Sequence, residues 1–143
     1  MSFIELHEDG YLQLHSELPT AVDASLVGML RRFWLTATIY GDDGVAWRMT
    51  PAPEAVPKPS SLLRVLANTF YNPKRRVPVV CEKIGDYDLA DLKARIAACV
   101  AGDDDILTQF IEASEINELL ARARTFDDIV TLVRRIQGEG DAD

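Results

Sequence analysis

Two short segments that end in glycine constrain the fold of this chain more than any other feature. Glu8-Asp9-Gly10 and Asp42-Asp43-Gly44 are each flanked on both sides by runs of alternating apolar residues. A three-residue hairpin loop needs a left-handed residue at its last position, and glycine adopts that conformation without steric cost. The sequence therefore predicts two β-hairpins.

The alternation of apolar residues fixes the register of the first hairpin, whose strands are residues 3–7 and 11–15. With Gly10 left-handed, His7 pairs with Tyr11 and Phe3 pairs with His15. This register gathers the apolar side chains on one face: Ile4, Leu6, Leu12 and Leu14. A buried face specifies register strongly, because a slip of one residue would expose it. His7 and His15 then lie on the opposite face, which we expect to face solvent.

The second hairpin, with strands 33–40 and 45–50, follows the same logic. One face carries Phe33, Leu35, Ala37, Ile39, Val45, Trp47 and Met49. The other face carries Trp34, Thr36, Thr38, Tyr40 and Arg48. We expect both hairpins to join one antiparallel sheet with a single buried face. The second, more polar face is then either a flat binding surface or covered by helices, and Trp34 on this face indicates a partner or a covering element, because an exposed tryptophan is uncommon.

The segments between and after the hairpins contain strand and helix signals. Asp23 is a candidate cap for a short helix through Leu30, and Ser60 or Ser61 for a helix to Phe70. Residues 51–59 contain four prolines and are expected to be extended or looped. Val77–Ile84 reads as a strand in which Pro78 favours the sheet edge or the start of the strand.

The C-terminal half is predicted to be helical. Asp88 caps a helix that ends at Gly102, Ser114 starts a second helix, and Thr125 with Asp128 forms a capping box for the last one. The inner stripe of the last helix is Ile129, Leu132, Val133 and Ile136. The sequence therefore predicts a single α+β domain over residues 1–143: an antiparallel sheet built from two hairpins plus a further strand, with C-terminal helices packed on one face and a frayed tail over 138–143.

The net charge of −8 disfavours nucleic acid and anionic membranes as partners. Residues 1–10 contain three acids and no base, and no apolar run approaches the length of a membrane span, so we expect a cytoplasmic protein. The two cysteines, Cys81 and Cys99, are expected to be reduced and packed.

The candidate catalytic residues are few. Histidine most often performs acid–base chemistry near neutral pH, and Glu5 is placed to orient the His7 imidazole. His7 and His15 lie four residue steps apart along the ladder, about 13 Å, which is too far for a shared metal ion. Cys81 lacks a histidine nearby in sequence and reads as a core residue. Asp103-Asp104-Asp105 fits a helix start better than a calcium loop, so no metal and no cofactor are expected.

One basic loop stands out in an acidic chain. Residues 70–76 combine two aromatic residues with three consecutive bases, and the candidate binding residues in this loop are Tyr71, Asn72, Lys74, Arg75 and Arg76. Arg and Tyr are enriched where proteins bind partners. The loop either contacts a protein or anionic ligand, contacts nucleic acid, or pairs internally with the acidic helices.

The sequence favours a small non-enzymatic module of the inhibitor or immunity type, which meets a basic protein partner through its acidic surface. One alternative is a small enzyme whose site is assembled around His7, His15 or Cys81, which a deep pocket around one of these residues would support. The other is a nucleic-acid-associated protein that uses Lys74–Arg76. Size, charge and missing catalytic motifs support the first hypothesis, but each of these features is common among proteins.

Overall fold

The structure is a computed structural model that describes residues 1–8, 10–25, 32–55, 74–102 and 107–139. The strands within these ranges are β1 (Phe3–His7), β2 (Leu12–His15), β3 (Ala21–Ser25), β4 (Ala37–Gly41), β5 (Val45–Pro51) and β6 (Lys74–Asp86). The helices are α1 (Leu89–Ala101), α2 (Ala113–Arg122) and α3 (Phe126–Ile136), with 3-10 turns at Phe33–Thr36 and Pro53–Ala55. The predicted α+β class, with an antiparallel sheet and C-terminal helices on one face, is confirmed.

The first hairpin has the predicted register. Phe3 pairs with His15, and the His7 amide donates to the Tyr11 carbonyl at 3.0 Å. Gly10 has a φ of 95°, the left-handed conformation that the turn requires. The apolar side chains of this hairpin share one face, as the alternation predicts.

The second hairpin is shorter than predicted. Ile39 pairs with Trp47 as expected, and Gly44 is left-handed with a φ of 81°. Residues 33–36 form a 3-10 turn instead of the first half of a strand, so β4 begins only at Ala37. The prediction that Trp34 lies on a strand face with Thr38 and Tyr40 is therefore wrong. Its ring is buried against Ala24 and Val77.

The prediction of a single buried face is also wrong, because of the way the two hairpins join. β1 pairs with β4 in a register that sets Leu6 opposite Thr38 and Glu5 opposite Ile39. Paired residues share a face, so the apolar face of one hairpin continues as the more polar face of the other. Both faces of the sheet therefore carry a core, which we call the outer core and the inner core.

The outer core packs the three helices against the sheet. Its fully buried side chains include Ile4, Leu6, Leu92, Ile96, Ile116, Ile129 and Val133. Tyr40 belongs to this core, and its hydroxyl accepts a hydrogen bond from Arg95 of α1 at 2.8 Å. The Thr38–Tyr40 part of the predicted flat surface is thus covered by helix α1, whereas Arg48 of β5 is exposed.

The helix ends follow the predicted capping chemistry. In α1 the Asp88 amide donates to the Asp91 carboxylate, and in α3 the Thr125 hydroxyl accepts from the Asp128 amide at 3.2 Å. α2 begins one residue earlier than predicted, after Glu112. Among the described residues, no helix is long and apolar enough to cross a membrane. The predicted helix over 60–70 lies outside the described residues, as do the acids 103–105 and residues 56–59 of the proline-rich segment.

The inner core lies on the concave side of a curled sheet. Its buried members are Phe3, Ala37, Ile39, Met49 and Val79. Within the described part of the chain the strand order is β2-β1-β4-β5-β6-β3, so consecutive strands β2 and β3 form the opposite edges of that sheet. Six flat strands would separate these edges by about 24 Å. Residues 16–20 join them, and the six steps from His15 to Ala21 span at most about 21 Å. The sheet therefore curls until its edges approach each other.

Two further predictions on these strands need correction. Asp23 lies within β3, not at the start of a helix, and Leu26–Leu30 lies outside the described residues. β6 is not an edge strand, because it runs between β5 and β3. Pro78 is tolerated there because its nitrogen side faces the end of β5, where the Ala52 amide donates to the Pro78 carbonyl at 2.9 Å.

Candidate functional site

The two edge strands of the curled sheet enclose a groove of about 760 Å³, which we call the seam groove. Its floor is Glu5 and His7 of β1. Its walls are Tyr11 and residues 13–15 on the β2 side, the connection 16–20, residues 21–23 of β3, and Arg76 of β6. Strand alternation places Glu5 and His7 here, because every second side chain of β1 points to the inner face.

Glu5 and His7 are the buried charged or polar residues among those that the structure describes, with 3% and 7% exposure. Both imidazoles of the chain contact the Glu5 carboxylate. His7 Nε2 lies 2.6 Å from Oε2, and His15 Nε2 lies 3.0 Å from Oε1. Buried ionisable groups are costly and occur preferentially at functional sites. This cluster is therefore the strongest functional feature of the described residues.

The prediction of solvent-facing, mutually remote histidines is wrong for a geometric reason. His7 is two residues from Glu5 on the same strand, and His15 is the diagonal neighbour of Glu5 across the β1–β2 pair. Diagonal neighbours lie within reach of long side chains. The two rings are distant along the ladder, yet each reaches the carboxylate between them. Phe3 was the available signal, since it is an apolar residue on the face assigned to solvent.

Hydrogen bonding keeps Glu5 ionised. Burial alone raises the pKa of this carboxyl, but the hydrogen bonds from His15 and His7, together with their charge, outweigh burial and lower the pKa from 4.5 to about 2. A carboxylate only accepts hydrogen bonds, so each imidazole presents an N–H at Nε2. In its neutral form, the His15 ring then carries its lone pair on Nδ1.

Tyr11 closes one end of the cluster. Its ring meets the His7 ring edge-on at a centroid distance of 5.1 Å, and its hydroxyl donates to the Gln13 side-chain oxygen at 2.6 Å. Burial, followed by the charges of Glu5 and Asp23, raises the pKa of Tyr11. The hydroxyl therefore stays protonated near neutral pH and serves as a donor.

Cys81 is not activated as a nucleophile in this structure. Its thiol donates to the Pro19 carbonyl at 3.4 Å. Burial raises the pKa of the Cys81 thiol, and the charge of Glu5 raises it further. A reactive cysteine needs the opposite shift. Cys81 instead packs beside the inner core.

The candidate binding residues of the basic segment are only partly described. Tyr71 and Asn72 lie outside the described residues, as does the side chain of Lys74. Lys74, Arg75 and Arg76 belong to strand β6 and not to a loop. Arg76 lies 3.5 Å from Asp23 of β3, so this base pairs with the neighbouring strand and not with the acidic helices.

Carboxylates dominate the charge of the seam groove. Glu5, Glu17 and Asp23 line it, against the single guanidinium of Arg76, which is already close to Asp23. Among the described residues, no group of three or more His, Cys, Asp or Glu side chains is placed to hold a metal ion. The arrangement suits a ligand that is cationic or donates hydrogen bonds. Neither protein-family models, curated protein sequences nor solved structures gave a match to this chain.

Proposed function

We propose that this protein is a small binding module that takes a basic segment of a partner into the seam groove. The observation that carries the proposal is the excess of carboxylates in an open groove between two sheet edges. A cationic side chain entering it meets Glu5 and Glu17, and the net charge of −8 draws basic partners toward the molecule as a whole.

The helical surface is a weaker candidate for the same partner, although the chain from residue 86 onward is rich in acids. Glu118 pairs with Arg122 at 2.6 Å, and Glu115 pairs with Arg135 at 2.7 Å. These contacts neutralise part of the acidic charge locally. The groove, in contrast, leaves Glu17 exposed beside a buried ionised Glu5.

The test compares two double variants that remove the same charge. Glu17→Gln with Asp23→Asn alters the groove, and Glu112→Gln with Glu139→Gln alters exposed acids in the helical half. We expect a blocked nine-residue peptide of alternating lysine and valine to bind the parent protein. Its affinity, measured calorimetrically, should fall at least tenfold in the groove variant and less than threefold in the other. Equal losses of affinity in both variants would show that the effect comes from net charge alone and would contradict binding in the groove.

A second candidate function is acid–base catalysis in the same groove, and the Glu5–His15 contact favours it. A carboxylate bound to one ring nitrogen orients an imidazole and stabilises the imidazolium that forms when the other nitrogen takes a proton. Under this hypothesis, His15→Gln abolishes any hydrolysis of p-nitrophenyl acetate above the buffer rate, whereas Glu112→Gln preserves it. An unchanged rate in His15→Gln would exclude His15 as the base. The nucleic-acid alternative remains a prediction.

A further inference from the structure

The outward-facing backbone of β3 gives the seam groove a second binding feature. The Val79 amide donates to the Thr20 carbonyl at 2.9 Å, which makes Thr20–Val79 a hydrogen-bonded pair. Antiparallel pairs alternate, so Val22 and Ala24 also turn their backbone groups toward β6. Ala21 and Asp23 consequently turn their amides and carbonyls away from β6, and both residues line the groove.

Strand β2, on the opposite wall of the groove, is less available for pairing with an added strand. The hydrogen bond from His7 to the Tyr11 carbonyl fixes the alternation in β1–β2, so Leu12 and Leu14 direct their backbone groups away from β1. The Leu12 carbonyl accepts a hydrogen bond from the Gln137 side chain at 2.9 Å. α3 is thereby tied to the β2 edge, which leaves β3 as the better template for an added strand.

We propose that the partner segment binds as an extended strand added to β3, so that it partly closes the curled sheet. This inference rests on the proposed function and specifies its mode. Main-chain hydrogen bonds to Ala21 and Asp23 would supply sequence-independent affinity, as in other cases of strand addition to a sheet edge. Two residues that face the same way along β3 are about 7 Å apart, which matches the repeat of an extended peptide.

The side chains of the added strand face two different environments. Alternate residues point to the inner face, as Val22 does, and there meet the Glu5 cluster. The residues between them point outward, beside the exposed pair of Asp23 and Arg76. The geometry favours a segment in which a lysine or arginine alternates with residues of little charge, with the basic side chain facing inward.

The experiment follows the amide hydrogen exchange of the protein by NMR, with the same lysine–valine nonapeptide as the probe. Saturation with peptide should slow the exchange of the Ala21 and Asp23 amides at least tenfold. Ala21→Pro, which removes an outward amide that β6 does not use, should weaken binding at least tenfold. Ala21→Val keeps the amide and should bind like the parent protein.

The possible outcomes separate the mode of binding from the function itself. Strand addition is overturned if the peptide binds without slowing the exchange of either amide and if Ala21→Pro binds it as tightly as Ala21→Val. That result would not contradict the binding of a basic ligand in the groove. If the double variant Glu17→Gln with Asp23→Asn binds the peptide as tightly as the parent protein, the proposed function is overturned, whatever the hydrogen exchange shows. Slow exchange that depends on protein concentration without peptide would assign the edge to a second copy of this chain and overturn the peptide assignment. A melting curve for Ala21→Pro checks its folding, and the exchange measurement does not depend on that variant.

Discussion

Glu5 shows how a single residue can set the electrostatics of a small protein. The residue is 3% exposed, yet two imidazole contacts hold the pKa of its carboxyl at about 2 against the effect of burial. An apolar side chain at this position would pack against Phe3 and Ile39 without any desolvation cost. Buried charge of this kind is weak evidence for stability, and groups with perturbed pKa values cluster at functional sites.

The first prediction concerns the acid stability of the Glu5→Gln variant. Since folding lowers the pKa of Glu5 from 4.5 to about 2, its ionisation stabilises the fold above pH 4.5, and this stabilisation is lost as the pH falls toward 2. The contribution is at most about 3 kcal/mol at neutral pH. We expect Glu5→Gln to be less stable at pH 7 and to lose less stability than the parent protein between pH 4.5 and 2, as measured by urea unfolding. If the free energy of unfolding changed equally with pH in the two proteins, the lowered pKa of Glu5 would be contradicted.

Trp47 gives a second prediction at the scale of one residue. Its indole N–H is buried without a hydrogen-bond partner among the described residues. A buried donor without a partner costs about 1–3 kcal/mol. Trp47→Phe removes the donor but keeps an aromatic ring, so its free energy of unfolding should equal or exceed that of the parent protein. A loss greater than about 2 kcal/mol, the scale of a lost core contact, would show that the indole ring contributes packing that phenylalanine cannot replace.

At the scale of elements, the two hairpins fold by the same turn chemistry, but they pair so that their apolar faces lie on opposite sides of the sheet. Each turn is closed by a left-handed glycine, at Gly10 and Gly44. The pairing of β1 with β4 then turns the apolar side of each hairpin to a different face. Helices cover the outer face over β1 and β4, while the curl of the sheet encloses the inner face.

The Gly44→Ala variant tests the turn of the second hairpin. A Cβ at this position would meet no atom within 4 Å, so any loss comes from the left-handed backbone, where φ is 81°. We expect a loss of about 1–2 kcal/mol. Gly102→Ala is the matched control, because its φ is −97° and the nearest atom to its Cβ, the Ala98 carbonyl oxygen, is 3.7 Å away. Equal melting temperatures for the two variants would count against the turn assignment.

At the scale of the whole molecule, curling brings together three elements of the proposed binding site. The buried Glu5 cluster, the acidic rim of Glu17 and Asp23, and the outward backbone of β3 all open into one groove. A flat sheet with the same pairings would leave β2 and β3 at opposite ends. The binding function proposed for this chain therefore depends on curvature as much as on residue identity.

The last prediction follows from the charge of the whole groove, where Glu5, Glu17 and Asp23 face the single guanidinium of Arg76. Salt screens the attraction between exposed opposite charges. We therefore expect the affinity for the lysine–valine peptide to fall about tenfold between about 0.05 M and about 0.5 M salt at constant pH. An affinity that does not change with salt would show that the charge of the groove does not act on the ligand.

Much of the fold and little of the site follow from local sequence. Turn glycines, capping residues and the alternation of Ile4 and Leu6 act over a few residues, so the first hairpin, the register of Ile39 with Trp47 and the caps of α1 and α3 are all predictable. β3 gave no comparable signal, because Asp23 resembles a helix cap as much as a strand residue.

The sequence by itself determined the hairpin turns, the register within each hairpin, the helix caps and the acidic charge, because each depends on neighbouring residues or on composition. Only the tertiary structure decided that the apolar faces of the two hairpins lie on opposite sides of the sheet, that the sheet curls, and that Glu5 lies between His7 and His15 in a groove. The register between β1 and β4 links residues that are at least thirty positions apart. Such long-range pairing reflects the packing of both faces at once, which no local pattern encodes.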